Sequence, residues 1–306
     1  LAIQLLLPNL FEEKAMTGNV KIRAVITISA GCLLLACGNS GSALYPVRSN
    51  GRYGYMTRSG KMAINPQFTD EGRFSEGLAP VRMAGRWGYI DTSGKIAINP
   101  QFDMADPFTN GTALIGLGYK FGYIDRSGKI ILNPQFDGAG HFGDGLAPVR
   151  QAGRWGYIDK GGKFSISPQF DEAGDFSEGL ALVKINGRFG YIDKSAKLVI
   201  SPQFDSSGEF SDGLAVVALA GKYGYIDKRG KLVITPQFDE AGAFSDGLAQ
   251  VSLGARFGFI DKSGKFAINP QFDRAGDFER GLAAVWIGGR QGYIDKSGKL
   301  VWTPSA

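Results

Sequence analysis

Few side chains in this chain of 306 residues are equipped for bond-making chemistry. It holds one histidine, His141, and two cysteines, Cys32 and Cys37. A lone imidazole works as a general base only when a nucleophile and an orienting group stand beside it. The segment Ala139-Gly140-His141-Phe142-Gly143 offers neither, and positions equivalent to His141 elsewhere hold Arg73, Asp175, Glu209, Ala243 and Asp277. A position that accepts all of these is expected to face solvent, so His141 is read as non-catalytic. No phosphate loop, dinucleotide fingerprint or metal-ligand cluster appears. Asp171-Glu172-Ala173-Gly174-Asp175 lacks the alternating spacing of a calcium loop. Neither a cofactor nor a metal is expected.

Rows of equivalent residues take the place of a unique constellation. One row is Asp91, Asp125, Asp159, Asp193, Asp227, Asp261 and Asp295; a second is Gln67, Gln101, Gln135, Gln169, Gln203, Gln237 and Gln271. A third is aromatic, Tyr53, Trp87, Phe121, Trp155, Phe189, Tyr223 and Phe257, broken by Gln291. For the polar rows, turn capping and satisfaction of connector backbone come first and ligand contact second. For the aromatic row, packing against a neighbouring strand comes first and an exposed ladder that stacks on sugars or bases second. Trp87, Trp155, Asp159 and Gln169 are the candidate binding residues under the second reading.

The elements that position these rows recur with one period. Gly54, Gly88, Gly122, Gly156, Gly190, Gly224, Gly258 and Gly292 are each 34 residues after the last. Such self-similarity marks stacked supersecondary units, and a ladder of equivalent residues builds an extended surface. In the unit from 145 to 178, Leu146 to Arg150 and Arg154 to Asp159 read as strands, and Lys163 to Ser167 as a third. Tight turns make them an antiparallel meander. Asp-x-x-Gly-Lys closes the second turn, with Gly supplying positive φ; Ala196 is the exception and is expected to weaken its copy by ~1 kcal/mol. Pro168 is expected to end the third strand. Two phenylalanines six apart, Phe170 and Phe176, plug the connector into the core, with room for one helical turn between them. Paired helices, which also repeat at this length, are excluded by several glycines, a proline and two hairpin signals per copy.

The joint pattern aromatic-Gly-Tyr-Ile-Asp-x-x-Gly-Lys with Pro-Gln-Phe-Asp resembles the WG-repeat family, with the Trp-Gly pair itself at Trp87-Gly88 and Trp155-Gly156. The resemblance runs from about Ala43 to the end and implies an all-β tandem repeat with no common activity. Eight three-stranded units joined by seven connectors are expected. No unit is split between the ends of the array, which favours an open β-solenoid or superhelix over an eight-bladed propeller, the alternative. The first copy is degenerate, with Met56 for Ile and Thr69 for Asp. The second connector is irregular at Met104, Asp106-Pro107 and Thr112, and Gly118-Tyr119 shifts its following turn by one.

The composition, 43% apolar with 45 glycines and a net charge of +5, allows a sizeable core. Its lysines lie at turns rather than on one face, which argues against a nucleic-acid partner. Residues 21 to 37 form a separate unit: Lys21 and Arg23, a short apolar run from Ala24 to Leu35, then Ala36-Cys37. That is an export signal, too short to span a membrane. Leu34-Leu35-Ala36-Cys37 resembles the bacterial lipobox, which implies that Cys37 carries a diacylglycerol and becomes the mature N-terminus. Cys32 follows Ser29 at the wrong place for the branched residue, and a cleaved signal of ordinary type is the alternative. Gly38, in place of an inner-membrane-retaining aspartate, points to the outer membrane. The organisation expected is therefore an upstream over-translation (1–15, with Met16 as the start), a signal peptide (16–36), a short tether (37–42) and a repeat domain (43–306). The expected function is a monomeric, non-catalytic envelope scaffold for protein or glycan partners, held to the membrane by its lipid. The alternative is an envelope hydrolase or lyase built on a propeller.

Overall fold

The structure is a computed structural model that describes residues 44–49, 51–57, 61–279 and 281–302; the segment expected to be an export signal, with Cys32 and Cys37, lies outside them. All regular structure among these residues is β, arranged as eight antiparallel sheets in chain order, so the all-β tandem-repeat expectation holds. The chain divides into two compact units, one ending at His141 and the other running on from Phe142.

The sheet from Glu172 to Phe204 represents the architecture. Its strands Leu180–Ile185, Arg188–Ile192 and Leu198–Phe204 are the expected meander. A further strand, Glu172–Ser177, pairs antiparallel with Leu180–Ile185 and makes the sheet four-stranded. The three-stranded unit is thus corrected: the connector is itself a strand of the following sheet. The cause is local. Glu178 (φ 53°) and Gly179 (φ 89°) both have positive φ, the geometry of a two-residue hairpin turn whose twist matches its strands. Asp144-Gly145, Asp212-Gly213 and Asp246-Gly247 do the same. No helical turn lies between the two phenylalanines, because backbone hydrogen bonds there go to the next strand, as from the Gly208 amide to the Val216 carbonyl at 2.9 Å. The first sheet, Leu44–Ser49, Arg52–Thr57 and Met62–Phe68, keeps three strands.

The third strand also differs from expectation. Proline does not end it, for Leu198–Phe204 runs through Pro202. Phe189 pairs with Phe204 and Tyr191 with Ile200, so three residues on one strand face five on the other and the outer strand bulges. The bulge presses on Gly190, where a Cβ would stand 2.6 Å from the Ile200 carbonyl oxygen and 2.7 Å from the Pro202 nitrogen. The bare glycine beside the aromatic is therefore required by a close strand, as the sequence suggests. Proline suits this place because an edge strand has a free side where no ladder donor is needed.

The core sits between successive sheets. Leu180, Tyr191, Ile200 and Phe204 of one sheet pack with Phe210, Ala215, Val217 and Ile226 of the next. A single repeat cannot bury its own apolar face, which is why the units come as an array. Both connector phenylalanines are buried, Phe170 and Phe176 among them, each contributing roughly 1.5–3 kcal/mol by burial. Hydrogen bonds reinforce the stacking: Ser177 Oγ donates to the Phe210 carbonyl and Ser211 Oγ to that of Phe244, both at 2.7 Å. Asp212 accepts from the Gly247 amide at 2.8 Å.

Candidate functional site

The sequence-predicted binding residues do not converge. Trp87 and Trp155 are half-buried and pack against the clusters around Tyr89 and Tyr157. Asp159 caps its turn, Oδ1 accepting from the Gly161 amide at 2.9 Å and the Lys163 amide at 3.0 Å. Gln169 is exposed on an edge strand, where Nε2 donates to the Ser167 carbonyl at 3.2 Å. Asp193 does the same work as Asp159, and the Ser195 hydroxyl, then backbone amides, hold its carboxyl below the usual carboxylate range. These residues serve the turns and strands that carry them.

Another repeating feature was missed in the sequence. The buried tyrosine that follows the glycine in most copies donates its hydroxyl to a connector carbonyl: Tyr123 to Gly140 at 2.7 Å, Tyr191 to Gly208 at 2.6 Å and Tyr225 to Gly242 at 2.8 Å. Burial pushes the Tyr191 and Tyr225 phenols far above their ordinary range, so they remain protonated donors. The spacing of 17 residues was visible, but the acceptor is a backbone atom that no side-chain pattern reveals.

His141 is half-buried, with Nε2 3.3 Å from Asp106 Oδ2. Asp106 replaces a glycine held at the equivalent positions 72, 140, 174 and 208, which makes this pair the one-off acid–imidazole contact that sequence reading did not anticipate.

Two surface features remain. The edge strands carry a repeating exposed apolar row: Met62, Ile96, Ile130, Leu198, Leu232 and Leu300, joined by Val199, Val233 and Val301, with exposures from 39% to 54%. The second is a depression of about 400 Å³ in the sheet from Met104 to Phe136, lined by Asp103, Met104, Gly116, Tyr119, Lys120 and Phe121 together with Gly118. Across the strands Gly116 faces Phe121 and Met104 faces Gly116. Tyr119 at the lip is 97% exposed and adopts φ 63°. For a bulky residue that region costs roughly 1–2 kcal/mol. Asp103 Oδ2 accepts from the Gly118 amide at 2.8 Å, Oδ1 pairs with Arg86, and Lys120 Nζ lies 2.5 Å from Asp137 Oδ1.

In fold the chain is similar to the crystal structure of a eukaryotic initiation factor, with 12% identity, a TM-score of 0.60 and coverage of 87% of this chain and 85% of that one. It is also similar to dihydro-heme d1 dehydrogenase NirN in complex with DHE, with 16% identity, a TM-score of 0.53 and coverage of 86% and 74%. At these identities the likeness extends to the fold alone. Comparison with curated proteins finds no significant sequence match. The WG containing repeat matches residues 53–87, 87–121, 121–155, 155–189, 189–223, 223–256 and 257–290 in succession. With that unbroken run over most of its length, the chain belongs to the family of WG containing repeat proteins.

Proposed function

We propose that the chain is a non-catalytic scaffold of a bacterial cell envelope, lipid-anchored through Cys37 at the outer membrane, whose repeat array holds protein or glycan partners as a monomer. The exposed apolar row of the edge strands carries this reading. A monomeric surface seldom leaves equivalent large apolar side chains exposed at one register of successive edge strands without use for them. Proline within the edge strands from Met62–Phe68 to Phe266–Phe272 blocks uncontrolled strand addition, so contact through side chains is the mode that remains. The apolar run and the Leu34-Leu35-Ala36-Cys37 motif support export and lipidation. Nucleic acid is not among the proposed partners, because the lysines serve turns.

The test offers the body from Ser40 onward to peptidoglycan and to detergent-solubilised envelope proteins in parallel. Retention by either, weakened by Val199→Glu with Val233→Glu, is the expected result; retention by neither overturns the reading. In cells, Cys37→Ala is expected to abolish incorporation of a labelled fatty acid and release the protein from the membrane fraction.

The second reading is a hydrolase or lyase, and the His141 contact with Asp106 favours it. A carboxylate beside an imidazole orients the ring and stabilises its protonated form. Turnover of any envelope glycan or peptide that is lost in His141→Ala would replace the scaffold reading with this one.

A further inference from the structure

We propose that the depression between Gly116, Phe121 and Tyr119 is a subsite for one pyranose ring of a glycan. The inference rests on the scaffold reading for its premise that this surface binds without transforming, and it assigns the partner class at this one place.

Two other sheets of the chain place an acid and a base at this position. In the sheet from Glu172 to Phe204, Lys184 stands across from Phe189 with Nζ 4.8 Å from the ring centroid and 2.8 Å from Glu172 Oε1. In the sheet from Asp70 to Phe102, Arg82 stands across from Trp87 and Asp70 across from Arg82. An acid and a base thus stand beside the aromatic ring. At the same two positions in the third sheet are Met104 and Gly116. Both charges are gone, as they also are in the sheet from Ser206 to Phe238, but there Ala218 keeps a methyl group across from Tyr223, whereas at Gly116 the side chain across from the ring is reduced to hydrogen.

The remaining chemistry selects an occupant. Without an acid at the Met104 position the seat does not favour a cation. An apolar floor of Phe121 and Met104 inside a charged rim suits a ring with a C–H face and hydroxyls at its edge, and the volume is in the range of small-ligand sites. Asp103 and Lys120 are about half exposed at 47% each, so each has bonding capacity left for hydroxyl groups besides its own partner. Tyr119 supplies the second observation. It occupies the second position of a hairpin turn where Gly85, Gly153, Gly187 and Gly221 stand in other copies. Tyr119 is a large aromatic held in water in a backbone region that favours glycine, and strain of this kind concentrates at ligand sites.

The experiment titrates the purified full chain with maltohexaose, cellohexaose and chitohexaose, reading saturation transfer to sugar ring protons by NMR and affinity by calorimetry. At least one is expected to bind, with transfer strongest at C–H protons. Tyr119→Ala is expected to weaken binding about tenfold or more, on the scale of a buried aromatic anchor. Gly116→Arg, which places the arginine of the second sheet over Phe121, is expected to abolish it. A Cβ at Gly116 would meet Met104 Cβ at 3.2 Å, which Met104 must relieve by a shift of a few tenths of an ångström, so a thermal melt of this variant is recorded beside the titration to separate loss of folding from loss of binding. Absence of binding by all three sugars, or binding unaltered in both variants, overturns the proposal, as does a protein segment competing for the notch in place of sugar. Loss of partner capture in the Val199→Glu, Val233→Glu variant with sugar binding intact leaves this subsite standing, and sugar binding that fails while capture persists removes the subsite alone.

Discussion

Two sheets of this chain share a backbone plan and differ in what lies over their aromatic rings. From Glu172 to Phe204, Lys184 and Glu172 cover Phe189 with an ion pair, whereas from Met104 to Phe136 the same register leaves Phe121 beside Gly116 and Met104. Backbone hydrogen bonds, the bulge and the buried tyrosine are alike in both. In a repeat array the fold is secured by interfaces every copy makes, so one copy can exchange surface residues at little cost to its neighbours. The difference teaches that departures from the repeat, rather than the repeat itself, are where an individual binding site is to be sought.

The sharpest way to break this comparison uses two glycines of the third sheet. Gly122 faces the bulge, and a Cβ there would stand 2.5 Å from the Leu132 carbonyl oxygen and 2.6 Å from the Pro134 nitrogen. Both are backbone atoms and cannot yield without opening the bulge. Gly122→Ala is expected to cost about 3 kcal/mol, lowering Tm by about 6 °C or more. Gly116→Ala is expected to stay within about 0.5 kcal/mol of the parent. Equal thermal melts for the two variants would mean that the bulge does not bear on Gly122.

Next in size is the tyrosine row. Tyr225→Phe removes the donor to the Gly242 carbonyl and is expected to cost about 1–2 kcal/mol, since the acceptor is left dry. Phe259 occupies the same place in the following sheet and is fully buried. Phe259→Tyr is expected to gain up to about 1 kcal/mol by bonding to the Gly276 carbonyl. Chemical denaturation of both variants reads opposite signs; a shared sign would show that the hydroxyl is not what distinguishes the two sheets.

The period, the second hairpin with its aspartate cap and the role of the Trp-Gly pair were legible because glycine, proline and β-branched residues act locally. The fourth strand was not read, although Asp-Gly pairs such as Asp212-Gly213 are strong hairpin signals, because the flanking connector lacks the alternating apolar pattern of a strand. Pro202 misled for a related reason: a proline that removes a ladder donor looks like a terminator until the strand is known to be an edge. The candidate site was half legible. Gly118-Tyr119 and Met104 stood out as irregular, yet only pairing brings Met104 opposite Gly116 and Gly116 opposite Phe121. Trp87 and Trp155 drew attention by type, and each packs in part against the core of its sheet.

A smaller effect separates two kinds of carboxylate by pH. Burial raises the Asp277 carboxyl above its usual range, against the Gln250 hydrogen bond, while Asp193 is lowered. A raised folded-state value contributes stability that is fully present below the unfolded value of about 3.9 and is lost as pH rises through the folded one. A lowered value contributes stability present above about 3.9 and lost as pH falls through the folded one. Melts of the parent are therefore expected to rise as pH falls from 7 through the Asp277 range, then fall once the turn caps take up protons. Asp277→Asn is expected to raise the melt at pH 7 and remove the first limb; a first limb retained in that variant would assign it to another group.

The smallest effect sets two terms against each other at Ala196. Its φ of 66° matches the positive φ of the glycines at equivalent positions, such as Gly162 and Gly230, so the strain expected from the sequence is present. Relief of that strain in Ala196→Gly is expected to gain up to about 1 kcal/mol. The methyl group, however, packs against the cluster of Ile166 and Tyr157, and removing one buried carbon forfeits about 0.8 kcal/mol. Because Ala196 is only partly buried, less than that full amount is lost, and a net gain of a few tenths of a kcal/mol is expected, seen as a rise in Tm of about 1 °C. A fall in Tm would mean that side-chain packing outweighs backbone preference in this turn, and that alanine here is an adaptation of the copy rather than a defect in it.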